Sequence, residues 1–348
     1  MRFNNVKVPR ENILLGEGEG LKLALVTLNT GRLTLPAASA GIGKWCLNVC
    51  RLWAAKRHQW GSAIGEHEAV ALKLSYIASH TFAMDAVTWL TSAMADDKHR
   101  DIRLEAAIAK LFCTETCWKI VDETLQIRGG QGYETSSSLA KRGVDYWPVE
   151  RAMRDLRINR IIECTSEIMH LFIAREALDP HLSKIKPLLT GRGDKLGASL
   201  KLVNFYAGWY PGLLMPSGVS DQISGLPQPL IKHMVFVQDA SKRLARETFH
   251  RMLKYQQKLE SKQSLLNRMV DVGTDLFVIS AVCSYAAMLA KDGKANAVDL
   301  ADSFCFDASR RIRLAFREGV DNNDEQNLGI AKKVLADEFG WIENQIVK

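Results

Sequence analysis

Apolar residues recur at the spacing of an α-helix along most of this 348-residue chain, and this periodicity limits the fold more than any other feature. It predicts helices from Gly20 to about Arg57, from about Glu66 to Asp96 and from about Ile102 to Gln126. Shorter helices from about Val149 and from about Thr165 to Leu178 complete a bundle. The sequence therefore predicts an all-α protein.

Two features interrupt the helical pattern in the first half. Residues 1–16 alternate apolar side chains at Phe3, Val6 and Val8, which indicates a residual strand from a β domain whose body is missing. Pro36 falls inside the first helix and removes one backbone donor, so we expect a kink or a one-turn break there.

The second half is predicted to form a second helical bundle. Residues 179–195 combine prolines, glycines and cations, which predicts a basic linker. Helical periodicity resumes from about Pro229 to Lys291 and from about Ala297 to Glu318, and a last helix runs to Val347. This extension, residues 196–348, contains no cluster of catalytic residue types.

An aromatic and apolar run at residues 200–216 is too short and too broken to span a bilayer. Trp209 and Tyr210, beside the cations Lys195 and Lys201, suit an interfacial position on an anionic membrane surface. Alternatively, the run packs back onto the bundle. The sequence leaves both interpretations open.

The most informative chemical feature is Glu163, which follows Ile161 and Ile162 and precedes the triplet Cys164-Thr165-Ser166. This pattern predicts an apolar turn that delivers a carboxylate to the start of the next helix, capped by Thr165 or Ser166. A carboxylate held in an apolar pocket can act as a general base. A solvated glutamate at a helix end is the alternative interpretation.

Two other segments contain residue types that suit a phosphate-containing ligand. Gly129, Gly130 and Gly132 follow a long helical pattern; they can simply end the helix, but they also let a phosphate or ribose approach the backbone. Arg57 and Trp60 place a cation near a flat aromatic ring, which suits a diphosphate and an adenine.

In this order, the three segments resemble the acyl-CoA dehydrogenase family over roughly residues 1–178. The likeness includes Asn29-Thr30-Gly31-Arg32-Leu33-Thr34. The family motif E-G-T-[ST]-[EQ]-I stands here as Glu163-Cys164-Thr165-Ser166-Glu167-Ile168, with Cys164 in place of the glycine. The resemblance implies a remnant of the middle β domain at residues 1–16 and the family's C-terminal helical bundle at residues 17–178.

The resemblance also implies the chemistry. The motif glutamate of the family removes the α-proton of an acyl-CoA thioester while the β-hydrogen leaves as hydride to FAD, which makes Glu163 the expected base. Some members carry their base directly before the arginine of the Gly-Arg pair, and here that position is Gly31, which has no side chain. Glu163 is therefore the remaining family-type base.

Cofactor and substrate contacts follow from the same resemblance. FAD contacts are implied at Arg57, Trp60, His67, Glu68, Gln126, Gly129, Gly130, Thr165 and Glu167, and contacts to the CoA side of the substrate at Asn29 and Arg32. Gln126, Gly129 and Gly130 would touch the flavin of a neighbouring subunit, which implies a homo-oligomer. From the residues alone, Trp60 can instead be a core anchor, and His67 can be a neighbour of a helix N-cap.

In the family, the flavin lies between this bundle, a middle β domain and an N-terminal helical domain. We therefore expect either a fragment of a longer enzyme, or a partner polypeptide that supplies the missing half, or an inactive product. The extension resembles in architecture the membrane-associating C-terminal region of very-long-chain members. The expected function is dehydrogenation of long-chain acyl-CoA, with an electron-transferring flavoprotein or a similar acceptor. The alternative is a non-catalytic helical assembly or membrane-associating partner.

Composition and charge limit the partners and the compartment. The net charge of +7 indicates an anionic partner such as coenzyme A, FAD or a membrane surface. Nucleic acid is not expected, because the cations are spread among carboxylates and no nucleic-acid motif is present.

Seven cysteines without close CxxC pairs indicate a reducing compartment. The i,i+4 pairs Cys46/Cys50 and Cys113/Cys117 are expected in the core, and no metal site is predicted. The N-terminus shows no apolar signal segment, so the chain is expected in the cytoplasm or the mitochondrial matrix and not to be secreted.

Overall fold

The structure, a computed structural model, describes residues 2–97, 99–190 and 195–344. Within these ranges the side chains at 25, 26, 29, 30, 185–190, 195, 196, 198 and 222 are not described. Most of the described part of the chain is helical and only two short strands occur in it, which confirms the all-α prediction.

Thirteen α-helices occur among the described residues. They are α1 (Gly20–Lys56), α2 (Glu68–Asp96), α3 (Arg103–Arg128), α4 (Gly130–Tyr133), α5 (Ser136–Lys141), α6 (Val149–Arg157), α7 (Ser166–Thr190), α8 (Lys195–Gly212), α9 (Asp221–Ser224), α10 (Gln228–Tyr255), α11 (Gln263–Lys291), α12 (Ala297–Glu318) and α13 (Asp324–Leu335). One antiparallel hairpin, β1 (His58–Gln59) and β2 (Ser62–Ala63), joins α1 to α2.

The long helix α1 is continuous through Pro36, so the one-turn break that the proline allowed does not occur. Pro36 itself is buried, and α1 packs along both α2 and α3. Tertiary packing of this extent offsets the loss of one backbone hydrogen bond, which is why a single proline does not end the helix.

The residual strand predicted for residues 1–16 is not formed. Described residues 2–16 contain no strand, and their one regular element is a 3-10 turn at Arg10–Asn12. Phe3 and Val8 are 76% and 65% exposed. A strand needs a neighbouring strand to accept its backbone hydrogen bonds, and the described chain offers none to this segment.

The two halves of the chain pack together in two hydrophobic clusters, each with buried residues from both halves. Helices α11 and α12 of the extension both pack on α2, and α11 also packs on α7. At the centre of this contact, the ring of Phe304 meets His80 at 5.1 Å and Phe112 at 5.9 Å, each edge to face. The cysteine pairs Cys46/Cys50 and Cys113/Cys117 are buried in the same core, as predicted.

The linker predicted for residues 179–195 is wrong over its first part. Helix α7 continues to Thr190, and residues 191–194 lie outside the described part of the chain. The extension stabilises this continuation, because the ring of His181 stacks on Tyr206 and meets Trp209 at 5.1 Å. A sequence pattern cannot show a helix that is held by side chains some 25 residues later.

The aromatic run forms most of α8 and packs inward. Trp209 and Tyr210 contact Phe249 of α10, with ring centroids 6.0 and 5.6 Å apart, and Tyr210 shares a hydrogen bond with His250. Leu214 and Met215, just after α8, remain 61% and 65% exposed. The rings therefore stabilise the fold, while the end of the run stays at the surface.

Two other features of the extension are the apolar helix α11 and the short helix α13. Helix α11 is long and apolar enough to cross a membrane by length and composition alone, but 61% of its most apolar window is buried inside the described fold. The predicted last helix to Val347 is too long: α13 ends at Leu335 and turns follow to residue 344. Its apolar side chains Leu335 and Trp341 are exposed, so no packing extends the helix further.

Candidate active site

Glu163 lies in the turn between a 3-10 helix at Ile158–Arg160 and the start of α7. Glu163 and Cys164 both adopt left-handed backbone conformations, with φ of +56° and +79°. For residues other than glycine such conformations cost about 1–3 kcal/mol each. Cys164 thus keeps the backbone that the family's glycine would favour at this position.

The carboxylate of Glu163 is directed at Gly31 on α1. A Cβ at Gly31 would lie 2.5 Å from Glu163 Oε1 and 2.6 Å from Cδ, closer than atoms can pack. Glu163 Oε2 is buried and accepts no hydrogen bond from the described residues. A buried carboxylate oxygen without a donor is suited to take a proton from a bound molecule.

A buried lysine of α3 contacts the turn that contains Glu163. Lys110 of α3 is fully shielded from solvent, and its Nζ donates a hydrogen bond of 2.8 Å to the carbonyl oxygen of Cys164. Burial lowers the pKa of this ammonium group. Sequence reasoning missed Lys110, although its neighbours Ala107 and Cys113 on the same helical face were a signal, because an apolar face rarely contains a lysine without a partner.

The start of α7 is capped as predicted. Thr165 Oγ1 accepts a hydrogen bond of 3.4 Å from the N–H of Ile168. Ser166 donates instead to Glu115 of α3, which also accepts a hydrogen bond of 2.7 Å from Arg160 Nε. Both sides of the Glu163 turn are thereby tied to α3.

The predicted adenosine contacts Thr165 and Glu167 lie beside the base. Glu167 is exposed, and its own backbone N–H and the Thr165 hydroxyl hold the pKa of its carboxyl below the usual value. Its negative charge stands at the start of α7, where the helix dipole favours it.

Of the two predicted CoA contacts, Arg32 has a described side chain and Asn29 does not. Arg32 is 5% exposed, and its guanidinium lies 4.5 Å from the ring centre of Phe172 on α7. In this chain Arg32 therefore packs between α1 and α7. The side chain of Asn29 lies outside the described part of the structure.

A second group of predicted residues surrounds the β1–β2 hairpin. The two turn residues Trp60 and Gly61 both have positive φ, which is the pattern of a tight hairpin turn. Trp60 is 90% exposed, which excludes the core-anchor alternative. His67 precedes the first residue of α2, Glu68; its Nε2 lies 3.0 Å from the Gln59 carbonyl oxygen and its ring 6.0 Å from the indole of Trp60. Arg57, at the end of α1, is exposed at the base of the hairpin.

The glycine turn after α3 lies at the same end of the bundle. Gly129 has φ +60° and ψ −141°, a conformation that essentially only glycine adopts. No atom lies within 4 Å of a Cβ placed on Gly129 or Gly130, and Gln126 beside them is exposed. The indole of Trp53 donates to the carbonyl of Ile127 at 3.1 Å and so joins this turn to the end of α1.

The two groups of predicted site residues are far apart. Arg57 follows Gly31 by 26 residues along the continuous helix α1, a separation of about 39 Å at the α-helical rise. Glu163 thus lies near the beginning of α1, and the hairpin with the glycine turn lies at its end. The structure does not bring the base and the Arg57 group into one site within a single chain.

One cleft among the described residues is lined neither by Glu163 nor by the hairpin group, although Glu115 is part of its wall. It has a volume of about 740 Å³ and lies between α2, α3, α11 and α12, with His80, Asp275 and Arg311 in its wall. Arg311 and Asp275 form a two-bond ion pair across it, at 2.7 and 3.0 Å. Glu163 does not line this cleft.

Comparison with known families agrees with this architecture. Residues 18–178 match the family described as "Acyl-CoA dehydrogenase, C-terminal domain". Residues 229–339 match the family described as "ACAD9/ACADV, C-terminal domain". The first match contains Glu163, the hairpin and the glycine turn, and the second contains most of the extension.

Curated relatives match nearly the whole chain. The probable acyl-CoA dehydrogenase FadE10 of Mycobacterium tuberculosis is 45% identical over 99% of this chain and 54% of its own length. The mitochondrial very long-chain specific acyl-CoA dehydrogenase of Rattus norvegicus is 32% identical over 94% of this chain and 49% of its own length. The chain therefore spans about half the length of the curated relatives that it matches.

Solved structures share the fold. An acyl-CoA dehydrogenase complexed with FAD from Bacillus anthracis superposes with a TM-score of 0.71 at 23% identity, over 93% of this chain and 55% of that one. Acyl-CoA oxidase 3 of Yarrowia lipolytica gives a TM-score of 0.64 at 19% identity, over 94% and 51%. These two structures show the fold alone. The family matches and the curated relatives show that the chain belongs to the acyl-CoA dehydrogenase family, with the C-terminal domain of that family at residues 18–178 and the ACAD9/ACADV C-terminal domain at residues 229–339.

Proposed function

We propose that this chain supplies the catalytic base of an FAD-dependent acyl-CoA dehydrogenase, which removes one hydrogen each from Cα and Cβ of an acyl-CoA thioester. The observation that carries the proposal is the Glu163 carboxylate, which is directed at Gly31 and leaves Oε2 buried without a donor. In this role Oε2 accepts the α-proton. The proton stays on the carboxyl group until the product leaves.

The residues of the chain do three things in this reaction. The left-handed turn at Glu163 and Cys164 orients the base, and Gly31 leaves room for its carboxylate. The contact of Ser166 and Arg160 with Glu115 fixes the start of α7 against α3. The bound flavin would supply the acceptor for the hydride that leaves Cβ.

The exposed residues fit a flavin nucleotide. Arg57 offers a cation to the diphosphate, and the exposed indole of Trp60 offers a flat face to the adenine, with the His67 ring 6.0 Å from it. Glu68, the next residue, is also exposed. Gly129 and Gly130 present backbone without side chains, which allows a close approach. Thr165 and Glu167 would contact the adenosine of the cofactor beside the base.

We further propose that the active protein is a homo-oligomer. About 39 Å along α1 separates Gly31 from Arg57, which is too far for one cofactor to contact both groups. In this arrangement, the hairpin and the glycine turn of one subunit contact the flavin whose acyl substrate meets Glu163 of another subunit.

The substrate class and acceptor are proposed from the relatives. Long-chain acyl-CoA is supported by the name of the rat relative, and an electron-transferring flavoprotein or similar acceptor by the family resemblance. Weak contact with an anionic membrane is supported by the exposed Leu214 and Met215 and by the cation of Lys242, whose Nζ donates a hydrogen bond of 2.9 Å to the Met215 carbonyl oxygen. Salt-sensitive co-sedimentation with anionic vesicles, reduced by Leu214→Ser with Met215→Ser, is the expected result. If the protein does not co-sediment with anionic vesicles at low salt, the proposed membrane contact is wrong.

The function is tested by anaerobic titration of the flavin-loaded protein that contains this chain. Palmitoyl-CoA should bleach the flavin absorbance, and butyryl-CoA should do so far more slowly. A protein that binds no FAD, or whose flavin no acyl-CoA reduces, would instead be the non-catalytic helical partner. Equal rates for both substrates would remove the long-chain assignment and keep the reaction.

A further inference from the structure

Lys110 is a fully buried lysine whose hydrogen bond goes to the main chain directly after the proposed base. Its Nζ lies 2.8 Å from the carbonyl oxygen of Cys164. Lysine is almost never fully buried unless it is paired, because desolvation of an ammonium group is costly. A hydrogen bond from a charged donor to a carbonyl is among the strong ones, and it gives the buried ammonium group a partner.

The carbonyl that Lys110 holds belongs to a strained turn. Glu163 and Cys164 are consecutive residues other than glycine in left-handed conformations. Such residues persist only where the surrounding structure fixes them. Lys110 provides such a contact from α3, while Thr165 caps α7 on the other side of the turn.

The same turn decides where the Glu163 carboxylate stands. Since the two residues share the peptide between them, a rotation that relaxes Cys164 also moves the side chain of Glu163 away from Gly31. Burial lowers the pKa of Lys110, while Cys164, Glu115 and the Glu163 carboxylate act in the opposite direction, so the ammonium group interacts electrostatically with the proposed base. Removal of Lys110 would therefore change both the backbone and the field at this carboxylate.

We propose that Lys110 is a positioning residue, which holds the Glu163–Cys164 turn so that the carboxylate stays over Gly31. Its effect on catalysis rests on the proposed function of Glu163. Its effect on the turn does not, and can be measured on the chain alone.

The first test is hydrogen–deuterium exchange of the purified chain, followed by mass spectrometry. Lys110→Met should speed exchange in residues 161–169 about tenfold, because the Cys164 carbonyl loses its donor. Lys119→Met, an exposed lysine nine residues further along α3, is the matched control and should change nothing there. If Lys110→Met does not fold, Lys110→Gln, which keeps a neutral donor, takes its place. Unchanged exchange in this segment, or an equal rise throughout α1, α2 and α3, would overturn the proposal.

The second test uses the flavin-loaded enzyme that contains this chain. Lys110→Met should lower kcat at least about tenfold while KM for acyl-CoA changes by less than about twofold, since the substrate still binds but the base is displaced. An unchanged kcat would overturn the catalytic part of the proposal. If Glu163→Gln also leaves turnover unchanged, the proposed function has failed, and the exchange result still decides the role of Lys110 in the turn.

Discussion

The carboxylate of Glu163 stands where any residue other than glycine at position 31 would place its Cβ. The two points are 2.5 Å apart when measured to Oε1. The family resemblance implies position 31 as the alternative place for a base, and a side chain there would occupy the volume that the Glu163 carboxylate fills. Gly31 therefore does more than lack a carboxylate: it makes room for the one that Glu163 brings.

Gly31→Ala should change the position of the Glu163 carboxylate, and therefore the dehydrogenation rate, without lowering the stability of the fold. Alanine is favoured over glycine inside a helix by about 0.5–1 kcal/mol, and the group that it meets is the flexible end of a glutamate. The variant should therefore unfold no earlier than the wild type, while its dehydrogenation rate falls because the carboxylate is displaced. Gly41→Ala is the control on the same helix, since no atom lies near its Cβ position. Full activity of Gly31→Ala would contradict the observed packing.

Cys164 should tolerate glycine and resist branched residues. Its φ of +79° suits glycine, so Cys164→Gly should keep activity and stay within about 1 kcal/mol of the wild type in unfolding free energy. Cys164→Val should lose about 1–3 kcal/mol, because a β-branched residue is strained there. Chemical denaturation measures both. Equal stabilities of the two variants would show that the left-handed turn is not formed in solution.

Arg57→Ala should lower the FAD content of the purified protein and leave its thermal unfolding unchanged. Arg57 is exposed at the hairpin, so the change removes a cation for the diphosphate and little packing. Arg51→Ala, an exposed arginine on the same helix, should keep its flavin. The ratio of flavin to protein absorbance gives the result, and equal flavin content in the two variants would exclude Arg57 from the cofactor site.

His170 joins α7 to α11 in a pH-dependent way. Burial disfavours its charge, but hydrogen bonds with Asp271 at 2.9 Å and the Ser166 carbonyl at 2.7 Å together raise its pKa above the usual value. A raised pKa means that the pair stabilises the fold fully below the ordinary histidine pKa and loses this effect as pH rises through the folded-state pKa.

Asp271→Asn should therefore destabilise the chain at pH 5.5 by up to about 1 kcal/mol, the scale of a partly exposed pair. At pH 8.5 the difference from the wild type should close. Urea unfolding at the two pH values checks this. If the difference in unfolding free energy between the variant and the wild type grows with pH, the His170–Asp271 pair does not stabilise the fold through a protonated histidine.

Much of the fold could be predicted from periodicity, because the apolar stripes of α1, α3 and α12 face a real core. Helix α12 begins and ends at the predicted residues, Ala297 and Glu318. The predictions were wrong where contacts between residues far apart in the sequence determine whether a helix or a strand forms. The contact of His181 with Tyr206 stabilises the continuation of α7 to Thr190, into the first part of the predicted linker, and the expected strand at residues 1–16 has no partner in the described chain.

The candidate site was predictable only where a motif marked it. Glu163 and the cap at Thr165 followed from a short run of residues. The apolar face around Lys110 indicates only that this lysine has a partner, since no local pattern shows that the partner is a carbonyl 54 residues later. The distance between Gly31 and Arg57 also needed the structure, because only a continuous α1 fixes it.

Single-turnover flavin reduction by Glu163→Gln tests the central claim most directly, since an amide cannot accept the α-proton. In the flavin-loaded enzyme that contains this chain, the variant should bind FAD and acyl-CoA as the wild type does. Its rate of flavin reduction by acyl-CoA in a stopped-flow experiment should fall by about 10²–10⁴-fold, the usual contribution of a general base. A rate within about twofold of the wild type, at equal flavin content, would show that Glu163 is not the base.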